Sequence, residues 1–156
     1  MVNEIKIGDK CPDAVLLVDD NKSISLADLK GKNIVLYFYP KDDTPGCTQE
    51  AKDFRDHIKD FQKLNAIVIG VSKDTIAKHK KFQEKYDLPF MLASDVDVEI
   101  CQKFAVWVEK SMYGRKYMGI NRSTFVIDKD GFVKKIWNKV SVKGHVLEVL
   151  KELEVI

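Results

Sequence analysis

Six residues, Ile34-Val-Leu-Tyr-Phe-Tyr39, form an unbroken apolar run between Gly31 and Pro40, and this run limits the fold more than any other stretch of the chain. A β-branched and aromatic run with no polar alternation reads as a strand buried on both faces, and such strands belong to sheets covered by helices on either side. The next segment supplies a helix. After the turn Pro40-Lys-Asp-Asp, Thr44 and Pro45 form an N-cap and first-helical-residue pair: a threonine hydroxyl can accept an orphan amide hydrogen, and proline has no amide to orphan. Beyond them Ala51, Phe54, Ile58, Phe61 and Leu64 share one helical stripe, with Lys52, Asp53, Asp56, Lys59 and Lys63 elsewhere, so the pattern predicts an amphipathic helix over 44–64.

The rest of the chain repeats this alternation. Strands are expected over 14–18, 34–39, 66–71, 90–92, 124–128 and 132–137, and helices over 44–64, 74–86, 95–104 and 142–153. Strands interleaved with helices predict an α/β domain. Asp128-Lys-Asp-Gly131 between two apolar runs is a hairpin signal, which places an antiparallel pair on a sheet otherwise expected to be mostly parallel. At 156 residues and 45% hydrophobic content the chain can bury one sizeable core, and no Pro/Gly/Ser-rich linker divides it, so residues 1–156 are read as a single domain.

Within this frame Cys47 falls in the first turn of the helix, where unpaired amides and the positive end of the helix dipole favour an anion. Thiols in such positions ionise at about 3.5–7.5 instead of about 8.5, and a resting thiolate is expected. The competing reading, a small buried apolar residue, is what free cysteines usually are. Pro45-Gly46 beside it argues instead for a tight, exposed turn.

The segment Tyr37-Phe-Tyr-Pro40-Lys-Asp-Asp-Thr44-Pro-Gly-Cys47-Thr-Gln-Glu50-Ala closely resembles the active-site signature of the peroxiredoxins, and of their bacterioferritin comigratory (Q-type) subfamily in particular, with the core P-x-x-x-T-x-x-C. About 60 residues downstream, Met112-Tyr-Gly-Arg-Lys-Tyr-Met-Gly-Ile120-Asn-Arg122-Ser-Thr-Phe-Val-Ile-Asp128 is similar to the segment that carries the family's active-site arginine. The resemblance covers nearly the whole chain. It implies a thioredoxin-like fold and a thiol-dependent peroxidase acting on hydrogen peroxide and organic hydroperoxides. On that resemblance Cys47 is the peroxidatic cysteine that becomes a sulfenic acid, Thr44 holds the peroxide, Arg122 stabilises thiolate and leaving oxygen, Glu50 orients the arginine, and Pro40 shields the sulfur. Singly each has an ordinary reading: Thr44 a helix cap, Glu50 a favourable first-turn charge, Arg122 a solvated residue before a strand. The wall that would discriminate among peroxides is expected to involve Phe38, Trp107 and Met112.

One departure from the subfamily concerns the second thiol. Many members carry a resolving cysteine five residues after the peroxidatic one; here that position is Lys52. Cys101 is the remaining internal candidate, but Val98, Cys101 and Ala105 share a helical stripe beside Phe104, which reads as a core-facing position. Cys11, before Pro12, is a weaker candidate. A one-cysteine cycle is therefore expected, with an external thiol such as thioredoxin or a small thiol as reductant. A two-cysteine peroxidase resolved by Cys101 and a redox-sensing binding protein are the alternatives.

Other classes find little support. Net charge is +2, with 26 basic and 24 acidic residues interspersed, so no field for nucleic acid or anionic lipid is evident, and Lys110 to Lys116 reads as a loop near the site. Cys11, Cys47 and Cys101 are too dispersed for local metal-ligand pairs, and His57, His79 and His145 form no close ligand pattern, so neither metal nor other cofactor is expected. No C-x-x-C motif occurs. Without an apolar leader or a span of about 18 apolar residues, a cytoplasmic protein is expected; a monomer is anticipated, with a weak dimer as the alternative.

Overall fold

A computed structural model describes residues 4–156. Its main sheet has seven strands: β1 (Val15–Asp19), β2 (Lys22–Ser25), β3 (Asn33–Phe38), β4 (Ala66–Ser72), β5 (Met91–Ser94), β8 (Ser123–Ile127) and β9 (Val133–Trp137), in the spatial order β2-β1-β5-β4-β3-β8-β9. The two remaining strands, β6 (Trp107–Met112) and β7 (Arg115–Ile120), form a separate hairpin. Helices α1 (Pro45–Asp56), α2 (Ile58–Lys63), α3 (Ile76–Tyr86), α4 (Glu99–Lys103) and α5 (His145–Glu154) cover the sheet.

The apolar run beginning at Ile34 forms β3, and its side chains divide between two cores. Val35, Tyr37 and Tyr39 pack with Cys47, Ala51, Phe54 and Phe61 of the α1–α2 segment and with Val146, Val149 and Leu153 of α5. Ile34, Leu36 and Phe38 pack on the other face with Leu16, Ile100, Cys101, Phe104 and Phe125. The period-two alternation of a strand thus fills two cores at once.

The α/β sandwich and the mixed sheet are as expected, and the hairpin at Asp128–Gly131 joins antiparallel β8 and β9. Gly131 supplies the positive φ of 91°, and Asp128 Oδ1 accepts from the amides of Asp130 and Phe132. The expectation of a mostly parallel sheet needs correction. Only β3–β4 and β4–β5 are parallel; β1–β2, β1–β5, β3–β8 and β8–β9 are antiparallel. Parallel pairing is confined to the centre because only there do helices make the crossovers it requires, while hairpins and edge strands close both flanks.

Other differences are local. The single helix expected over 44–64 is divided at His57, whose amide reaches back to Phe54 O in a tighter turn. Neither strand β2 nor the β6–β7 hairpin is expected from the sequence, and the hairpin replaces the loop expected over 110–116. Both are hidden because all their residues but Ile120 are exposed or half-buried and carry no apolar alternation. Tyr113-Gly114, both with positive φ (52° and 78°), makes the two-residue turn that joins β6 to β7.

Candidate active site

Sheet topology explains how Cys47 meets a residue 75 positions away. Strand β3 ends at Phe38 and leads through residues 39–44 into α1. Its antiparallel neighbour β8 pairs Ser123 with Phe38, so the residue just before β8, Arg122, lies beside the end of β3 and the start of α1. Arg122 Nη2 donates to Cys47 Sγ at 3.2 Å, and Nη1 donates to Glu50 Oε1 at 2.7 Å. Both acceptors sit on α1, three residues apart and on one face. Gly46 completes the fit: a Cβ there would stand 3.2 Å from Nη2, so glycine is what lets the guanidinium lie across the helix start.

Burial sharpens the electrostatics. Cys47 is 2% exposed, which corrects the expected exposed turn: Pro45 is exposed, but the cysteine side chain points down the stripe of Ala51 and Phe54, and the half-buried Arg122 lies against the sulfur. A guanidinium held against sulfur favours the anion electrostatically. Glu50 is wholly buried, and burial pushes its carboxyl up to about 7 against the opposing pull of Arg122. Among the described residues neither its Oε2 nor the hydroxyl of Tyr37 has a hydrogen-bond partner, and that phenol is held well above the usual range by burial and by the nearby Glu50 and Cys47.

Thr44 occupies the N-cap position without capping. Its hydroxyl donates back to Lys41 O at 2.8 Å, and no side chain caps α1. The expected capping bond is therefore absent, and the first-turn amides of Gly46 and Cys47 remain available as donors. With its hydrogen committed to Lys41 O, the Thr44 oxygen is left with acceptor capacity alone. Pro40 and Thr44 are half-buried at the two ends of the segment preceding Cys47.

That segment is anchored by a buried polar network that residue patterns do not reveal. Asp42 accepts from Tyr39 Oη at 2.5 Å and from His79 Nδ1 at 2.6 Å, while its amide donates to Asp74 Oδ2 at 2.8 Å. The Ser72 hydroxyl also donates to Asp74 Oδ2. Asp42, Asp74 and His79 bring their ligand-type atoms within 4.8 Å of one another. Their geometry is that of a hydrogen-bonded network: 2.6 Å between Nδ1 and Oδ2 is a donor–acceptor distance, too close for two ligands that each stand about 2.0–2.2 Å from one tetrahedral ion. The signal for His79 is its place three residues from both Ile76 and Phe82, on the buried stripe of α3.

The other sequence candidates fall elsewhere. Cys101 is fully buried in the core across the sheet from Cys47, and burial with the neighbouring Asp95 pushes its thiol well above the ordinary range. Cys11 is pushed up to about 11 by burial and Asp13. All three cysteines are free. Phe38 points into the Cys101 core, not toward the Cys47 face, because it alternates with Tyr37 and Tyr39; Met112 is exposed on the hairpin and Trp107 is half-buried beneath Lys73 Nζ.

The model of the AhpC/TSA family matches residues 7–136, and similar proteins match along nearly their whole length. The chain belongs to the AhpC/TSA family. Among its relatives in this family, peroxiredoxin Bcp of Bacillus subtilis is 53% identical over 150 residues, covering 96% of each chain. The putative peroxiredoxin bcp of Coxiella burnetii is 49% identical over 149 residues, covering 96% of this chain and 99% of its own. Among solved structures, Xylella fastidiosa PrxQ superposes with a TM-score of 0.92 at 37% identity over 98% of both chains. The bacterioferritin comigratory protein of Xanthomonas campestris, a protein described for its alkyl peroxide reduction activity, gives a TM-score of 0.87 at 40% identity, covering 91% of this chain and 90% of its own. These likenesses establish the expected peroxiredoxin membership, of the Bcp and Q type, and the thioredoxin-like fold.

Proposed function

We propose that this AhpC/TSA protein is a thiol-dependent peroxidase in which Cys47 is the peroxidatic residue. The observation that carries the reading is the fork of Arg122, one arm on Cys47 Sγ and the other on buried Glu50. In the reaction the Cys47 thiolate attacks the terminal oxygen of ROOH; the S–O bond forms as the O–O bond breaks, sulfur loses two electrons, and RO⁻ leaves to be protonated to ROH. Arg122 and the amides of Gly46 and Cys47 supply fixed donors where oxyanion charge develops. Thr44, its own hydrogen bonded to Lys41 O, accepts from the peroxide hydroxyl and orients it. Pro40 closes the wall beside it.

An external thiol then attacks the Cys47 sulfenic acid, releasing water and leaving a mixed disulfide, and a second thiol group regenerates the Cys47 thiol. Support for this one-cysteine cycle is the sheet that separates Cys47 from Cys101. A disulfide needs its Cα atoms within about 4.4–6.8 Å, and two side chains on opposite faces of an intact sheet do not meet that need. The reductant is proposed to be a thioredoxin-like dithiol or a small thiol. Among the described residues no helix is long and apolar enough to cross a membrane, and a cytoplasmic monomer without metal or other cofactor is proposed.

The test is stopped-flow peroxide oxidation of wild type, Cys47→Ser and Cys101→Ser with dithiothreitol or thioredoxin, joined to intact-mass analysis after one equivalent of peroxide. Cys47→Ser should abolish turnover and Cys101→Ser preserve it, with the wild type gaining the mass of one oxygen. Loss of two hydrogens by wild type, absent in Cys101→Ser, would establish the internal disulfide instead.

A further inference from the structure

The helix start that carries Cys47 is not held by its own cap. Thr44 turns its hydroxyl back to Lys41 O, and Asp43 has a φ of 58°, a left-handed conformation that is unfavourable for a residue with a Cβ. Something outside α1 must hold residues 40–44 in place. On the outer side Asp43 meets Lys85 Nζ and Tyr86 Oη, each at 2.8 Å, but the ion pair is exposed and such pairs contribute little. On the inner side Asp42 is buried, and three separate donors or acceptors hold it: Tyr39, His79 and Asp74.

His79 is the member that ties this group to the rest of the protein. Its Nδ1 lies 2.6 Å from Asp42 Oδ2 and its Nε2 lies 3.0 Å from Ala93 O on β5. Each ring nitrogen stands within hydrogen-bond distance of an oxygen, so the ring spans from the sheet to the segment between Pro40 and Thr44. Because α3 holds the ring between buried Ile76 and Phe82, the strut has little freedom to move.

We propose that His79 is a positioning residue for the Cys47 reaction: acting through Asp42, it fixes the 40–44 segment so that Pro40 and Thr44 present a finished wall to the peroxide. The assignment rests on the reading of the protein as a peroxidase. His79 touches neither the sulfur nor Arg122, and its influence passes along the chain from Asp42. A misplacement of about 1 Å in a positioning group can cost on the order of 10²-fold in rate, so a loosened segment has a measurable effect.

Two near-isosteres divide the roles of the ring. An asparagine amide nitrogen stands where Nδ1 stands and keeps the donor to Asp42; a glutamine amide nitrogen stands nearer Nε2 and keeps the donor to Ala93 O. Each variant is assayed for the second-order rate of Cys47 oxidation by hydrogen peroxide and for Cys47 alkylation by iodoacetamide, which depends on the thiolate and its accessibility but needs no peroxide wall. For His79→Gln the expected result is a peroxide rate lower by ~10-fold or more with alkylation undiminished, and for His79→Asn a peroxide rate near that of wild type. Equal peroxide rates in His79→Gln and wild type, equal losses in the Gln and Asn variants, or parallel losses of oxidation and alkylation would each overturn the proposal. If His79→Gln does not fold, Asp42→Asn in the same two assays decides, with a selective peroxide loss expected and a parallel or absent loss overturning it. Absence of Cys47-dependent peroxide consumption in the wild type would instead overturn the peroxidase reading itself.

Discussion

Replacing Arg122 by lysine keeps the positive charge and removes the fork, and it is the sharpest probe of the site. At 3.2 Å from sulfur, a unit charge in an environment of effective dielectric ~20 is worth ~5 kcal/mol to a thiolate. A single ammonium cannot reach both Cys47 Sγ and Glu50 Oε1 as the two guanidinium nitrogens do. Glu50 is wholly buried and must be paired, so the ammonium settles toward the carboxylate. If its distance from sulfur grows to ~5 Å, the same relation leaves ~3 kcal/mol, a loss of ~2 kcal/mol before counting the donor removed from the leaving oxygen. Donors to a developing oxyanion are worth ~2.7–4 kcal/mol each. Because the two losses overlap, Arg122→Lys should lower the second-order rate of peroxide oxidation by ~10²–10³-fold while the melting temperature changes little. Stopped-flow tryptophan fluorescence or competition with a reporter peroxidase measures the rate, and thermal denaturation monitors the fold. A folded Arg122→Lys protein within about threefold of wild type would refute the idea that fixed geometry, as well as charge, activates the sulfur.

Neighbouring groups give three further outcomes. Glu50 has a folded pKa raised from 4.5 to about 7, so its contribution to stability is fully present below about 4.5 and is lost as pH rises through 7; the melting-temperature difference between Glu50→Gln and wild type should shift in favour of the variant over that interval, and a pH-independent difference would contradict the assignment. His145, buried and bonded to Thr124 Oγ1 at 2.8 Å, is pushed down from 6.5 to about 4, so its contribution is present above about 6.5 and lost as pH falls through 4; urea unfolding should show wild type losing up to ~3 kcal/mol across that range relative to His145→Gln. Gly46→Ala places a methyl 3.2 Å from Arg122 Nη2, and since both arms of the guanidinium are occupied the displacement should cost ~10-fold in peroxide rate at nearly unchanged stability, as read by stopped-flow and thermal melting.

Much of this architecture is legible from residue types. The run 34–39, the Thr44-Pro45 helix start and the Asp128–Gly131 hairpin all express local preferences strong enough to survive in the fold. The proximity of Cys47 and Arg122 is legible only through resemblance, since it depends on β8 running antiparallel beside β3, a matter of long-range pairing. Strand β2 and the β6–β7 hairpin escape notice because exposure leaves little apolar pattern to read. The Asp42–His79 network escapes for a different reason: its members lie 37 residues apart, and a single buried histidine on a helix stripe does not name its partner. Thr44 illustrates the limit of propensity, since the residue sits where caps sit but its hydroxyl bonds elsewhere.

The 75-residue interval between the sulfur and its guanidinium has a consequence during synthesis. A nascent chain that has emerged only through β5 holds Cys47 without the guanidinium that donates to its sulfur. The site is completed only when β8 docks against β3 and delivers Arg122. The pocket around the sulfur is thus closed by the last third of the chain, and no fragment ending before β8 contains it whole.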